Sequence, residues 1–108
     1  MPPRAERLLY LSAAARRIGD LVAASDAPLR YEVLRHLLRV SEETMTEALE
    51  EAVAADLVRR GDDPFSYVPG DDDTGAAIRE AMGELRAERL REHIVGATRR
   101  VFGDEAPA

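Results

Sequence analysis

Apart from one interruption past its middle, the apolar residues of this chain recur every three to four positions, which commits most of it to amphipathic helices. Leu8, Leu11, Ala15, Ile18 and Val22 share one face of a helix expected over 5–24, broken by Ser25-Asp26. Asp26 is placed to cap a second helix, with Ala27 and Pro28 opening it and Leu29, Val33, Leu34, Leu37 and Leu38 forming its apolar face. Ser41 reads as the N-cap of a third helix, with Glu42 and Glu43 in the first turn, where the helix dipole favours acids. Met45, Leu49, Ala52 and Val53 are its expected buried stripe.

The interruption has a different pattern. Leu57-Val58-Arg59-Arg60 and Phe65-Ser66-Tyr67-Val68 are β-prone runs flanking Gly61-Asp62-Asp63-Pro64, which predicts a hairpin ended by Pro69-Gly70. Helical spacing resumes through Ile78, Met82, Leu85, Leu90 and Ile94, as one long helix or as two joined between Gly83 and Arg86. Aromatics make up 5% of the chain and Trp is absent, so the core must be aliphatic and alanine-rich, which suits packed helices better than a sandwich. The expected fold is mostly α and winged-helix-like: three helices, a short hairpin, then a long helix or helix pair. At 108 residues this is one domain over 1–103 with a frayed tail over 104–108.

Chemistry has few places to start. Cysteine is absent, which removes disulfides, thiolate metal sites and cysteine nucleophiles and suits a cytoplasmic chain. No leader or membrane-length apolar run is visible. All 15 basic residues are Arg, so a lysine-bearing phosphate loop is excluded. His36 and His93 lie far apart in sequence, each without the spacing of a metal-binding pair, and each reads as a helix-surface residue. Asp71-Asp72-Asp73 lacks the alternation of a calcium loop, so Asp73 or Thr74 is expected to cap the following helix. No catalytic residue, cofactor or metal is assigned, and the chain is not expected to be an enzyme.

A winged helix ordinarily reads DNA with its third helix. Here the segment 41–56 carries Glu42, Glu43, Glu47, Glu50, Glu51 and Asp56 and no basic residue, in a chain of net charge −6. Phosphates repel such a helix. The preferred expectation is a non-catalytic protein-interaction or regulatory module whose partner-binding residues are Glu43, Glu47, Glu50 and Glu51. Leu8, Leu11, Leu90 and Ile94 are candidates for an apolar homodimer seam. The alternative is a small dimeric DNA-binding transcription factor that uses Arg35, Arg39, Arg59 and Arg60. On the preferred reading those arginines pair with acids of the third helix.

Segment 28–102 resembles the winged-helix segment that follows the nucleotide-binding module in bacterial STAND-type ATPases, among them the large ATP-binding LuxR-type transcriptional regulators. The resemblance is carried by Leu38-Arg39-Val40-Ser41-Glu42-Glu43, by the run from Ala48 to Val58, by Phe65-Ser66-Tyr67-Val68, and by the later Ile78-Arg79-Glu80-Ala81-Met82 and Arg89-Leu90-Arg91-Glu92-His93-Ile94. It implies a non-enzymatic relay that packs on a nucleotide-binding module in a larger parent regulator; no membrane partner is expected, because no apolar run reaches membrane length. Two positions depart from the family pattern. Asp56 stands where Gly is usual before the first strand, a change that the left-handed tolerance of Asp accommodates, and Pro69 stands where a His is common.

Overall fold

The computed structural model describes residues 11–103. They form five helices and a small antiparallel sheet: α1 (Ala13–Ala24), β1 (Leu29–Arg30), α2 (Tyr31–Leu38), α3 (Glu42–Ala54), β2 (Val58–Arg60), β3 (Ser66–Pro69), α4 (Asp72–Met82) and α5 (Glu84–Phe102). The chain is mostly helical, as the apolar spacing requires.

α1 is the hub. It packs against α3, α4 and α5 and against the sheet, and buries Ala15, Ile18, Leu21 and Val22. Its first turn corrects the expectation of one helix from residue 5. Ser12 is extended (φ −64°, ψ 159°) and its Oγ accepts from the Ala15 N–H at 3.2 Å, so a cap stands where an uninterrupted helix was expected. At the other end, Arg79 of α4 donates from its guanidinium to the carbonyl oxygens of Ala23, Ala24 and Ser25. A cation there offsets the negative end of the helix dipole.

The next segment also differs from expectation. Asp26 caps no helix. Leu29 and Arg30 pair with Tyr67 and Ser66 of β3, and α2 begins at Tyr31 without a side-chain cap. β3 thus lies between β1 and β2, and Val58, Arg59 and Arg60 oppose Pro69, Val68 and Tyr67. The two-stranded hairpin gains a third strand that ties it to the start of α2. The Tyr31 N–H donates to the Phe65 carbonyl at 2.9 Å and continues that junction.

α3 starts as the sequence predicts, with Ser41 Oγ accepting from the Thr44 N–H at 3.1 Å. Beyond it, Asp56 adopts φ +59°, the left-handed conformation expected of that position. This bend brings Leu57 beside Gly70, whose N–H donates to the Leu57 carbonyl at 3.0 Å. The cap of α4 is Asp71, two residues before the expected Asp73 and three before Thr74: its Oδ1 accepts from the Thr74 N–H at 2.6 Å. Of the two arrangements left open for the C-terminal segment, the chain adopts two helices, divided at Gly83 with φ +85°. The 104–108 tail lies outside the described residues.

Candidate protein-interaction surface

α3 turns Met45, Ala48, Leu49 and Ala52 inward. At about 100° per residue, the opposite face carries Glu43, Glu47 and Glu50 together with Ala54, all exposed. Among the described residues none of these three carboxylates has an ion-pair partner, so they form an uncompensated acidic ridge about two turns long. Glu51 sits on the flank of the ridge, half-buried, and accepts a hydrogen bond from Ser12 Oγ at 2.6 Å. Its carboxylate is therefore partly committed to fixing α1 against α3. Val53, expected in the core, is 43% exposed because it lies at the edge of the inward stripe, about 90° round the helix from its centre.

The expected pairing of α2 arginines with α3 acids does not form. Arg35 and Arg39 are exposed without an ion pair among the described residues, and so are Arg59 and Arg60 on β2. The ion pairs connect other elements. Arg30 pairs with Glu32 at 3.1 Å and with Asp63 of the hairpin turn at 2.9 Å, and Arg91 reaches Asp26 at 3.7 Å. Nor do the four exposed arginines share one depression. Arg39 lies in a groove between α2 and α5, whereas Arg59 lines a cleft of the hairpin that also holds Asp62 and Asp63.

The proposed dimer seam is already occupied by the chain itself. Ile94 is buried in the core, and Leu11 and Leu90 pack against it; Leu8 lies outside the described residues. The stripe Ala87, Leu90, Ile94 and Ala97 faces inward because α5 covers both α1 and α2. The apolar side chains that α5 leaves exposed are Leu85 and Val95.

A cleft of about 550 Å³ runs between the α1–β1 connection and the C-terminal half of α5. Pro28, Leu29, Ile94 and Phe102 give it an apolar lining, and Arg30 stacks over the Phe102 ring at 5.3 Å. Its polar groups are largely engaged: Arg30 and Arg91 in ion pairs, and the Thr98 hydroxyl donating to the Ile94 carbonyl at 2.7 Å. The histidines, far apart in sequence, line a second groove together. Helical spacing gave no sign of this, because the juxtaposition depends on how α5 docks on α2. Among the described residues no group of three or more metal-ligating side chains forms, and no helix is long and apolar enough to cross a membrane.

One carboxyl is perturbed. Burial raises the Asp20 pKa above the ordinary carboxylate value, while Arg86, donating to it at 3.3 Å, and Arg16 oppose the rise. The folded chain therefore binds this proton more tightly than the unfolded chain, and stability falls as pH rises through the folded carboxyl's titration. Asp20→Asn removes the ionisation and leaves an oxygen to accept from Arg86. In thermal melts it should unfold slightly later than the parent at neutral pH, with the gap closing as the pH drops below the usual carboxylate range. A larger gap at acid pH than at neutral pH would contradict this assignment. Comparison with protein-family models, with curated proteins and with solved structures finds no match for this chain.

Proposed function

We propose that this chain is a winged-helix protein-interaction module of a bacterial, cytoplasmic regulator, working without catalysis, cofactor or metal. The element order α1–β1–α2–α3–β2–β3, with β1 added to the hairpin, supports the winged-helix reading, and so does the resemblance to the STAND-type segment. The observation that carries the functional reading is the acidic ridge of Glu43, Glu47 and Glu50 on the helix that would otherwise enter the major groove. Like charges spaced three and four residues apart destabilise a helix by a few tenths of a kcal/mol. A basic surface on a protein partner relieves that repulsion; a phosphate backbone increases it.

The absence of lysine from these 108 residues makes a selective test available. Carbodiimide joins carboxylates to amines without a spacer, so cross-links from the α3 acids to lysine side chains report a partner. The full chain, treated in extract of its own host, should give cross-links mapping to Glu43, Glu47 and Glu50. They should be lost in the Glu43→Gln/Glu47→Gln/Glu50→Gln variant. Cross-links confined to acids of α4 and α5 would overturn the assignment. The DNA-binding reading retains one observation in its favour: Arg35, Arg39, Arg59 and Arg60 are exposed and have no ion pair among the described residues.

A further inference from the structure

Beyond the acidic ridge, we infer that the groove between α2 and α5 is a binding site for the phosphate group of a small soluble molecule. The groove, about 390 Å³, is lined by His36 and Arg39 from one side and His93 and Arg100 from the other, over Leu37, Gly96 and Ala97. Among the described residues none of these four side chains has a hydrogen-bond or ion-pair partner. Two guanidiniums and two imidazoles thus meet a single carboxylate, Glu92, in a chain whose overall charge is −6. Such a local reversal of sign concentrates a compact anion, and the guanidinium fork matches phosphate oxygens.

Two backbone features favour a built site over an incidental one. Arg39 is the C-cap of α2 and adopts φ +54°, ψ +43°, a position where Gly or Asn is the usual residue. A long cationic side chain is kept there despite the strain. Opposite it, Gly96 gives the groove wall no side chain: a Cβ added there would meet nothing within 4 Å, on a helix where Gly is otherwise unfavourable. The volume suits a small molecule. An extended polyanion would also meet Glu92 and the acids of α3, so a ligand with one or two phosphate groups fits better.

The test is a titration of the full chain with inorganic phosphate and with pyrophosphate at constant ionic strength, followed by amide ¹H–¹⁵N correlation spectra. Saturable shifts should be confined to residues 36–39 and 92–100, with pyrophosphate binding more tightly. Arg39→Gly/Arg100→Ala should weaken binding by about tenfold or more. Gly relieves the backbone at 39, so the fold survives this change. Gly96→Leu fills the groove without removing a charge and should have the same effect. Shifts no larger than those with chloride, shifts that both variants leave intact, or shifts produced by duplex DNA but not by phosphate would each overturn the site.

Discussion

Gly70→Ala should lower stability by about 2–4 kcal/mol, and so the melting temperature by roughly 10–25 °C for a domain of this size. A Cβ at this position would lie 2.0 Å from the Asp56 carbonyl oxygen and 2.8 Å from its carbon, and both are backbone atoms. No rotamer change can relieve that overlap. Either the α3–β2 turn or the end of β3 must move. Movement strains Asp56, already at φ +59°, and lengthens the bond from the Gly70 N–H to the Leu57 carbonyl. Urea unfolding of the variant measures the loss directly, and a midpoint unchanged from the parent would mean that the turn yields freely.

Ile18→Ala should have an effect of similar size, about 2–5 kcal/mol. Ile18 is fully buried on the helix that touches every other layer of the fold, so the cavity left by its truncation is shared by several elements and collapses poorly. A small domain has roughly 5–15 kcal/mol in total, so this one change removes a large part of the margin. Leu85→Ala is the matched control. Leu85 is 66% exposed, and its truncation should change stability by less than about 0.5 kcal/mol. Equal losses at the two positions would mean that the core is not where α1 places it.

That contrast marks how far the sequence could be read. Periodicity treated Leu85 and Ile18 alike, because it locates an apolar stripe but not which part of the stripe a neighbouring element covers. Long-range repetition made α1, α2, α3 and the C-terminal segment legible, and local chemistry made the Ser41 cap and the turn at Asp56 legible. β1 was not legible, since two residues carry no period and their strand character comes from pairing with Tyr67 and Ser66. The Asp71–Thr74 run offered several equivalent caps, and only the direction of entry from β3 selects Asp71. In the candidate site, the composition of α3 made the exposed acids Glu43, Glu47 and Glu50 legible, but not that Glu51, expected with them, turns to Ser12. The internal use of Ile94 and Leu90, and the meeting of His36 with His93, depend on the docking of α5, which no local pattern records.

The acidic face of α3 separates a protein-binding module from a DNA-binding one, and affinity for duplex DNA tests it most directly. Mixed-sequence duplex DNA carrying a fluorophore, titrated with the full chain at low salt, gives non-specific binding its best chance, because counterion release is then most favourable. The acidic ridge predicts no saturable rise in anisotropy up to high micromolar protein. Saturable binding that weakens steeply with added salt, and that is lost in Arg59→Ala/Arg60→Ala, would contradict the protein-interaction reading and assign the chain to DNA.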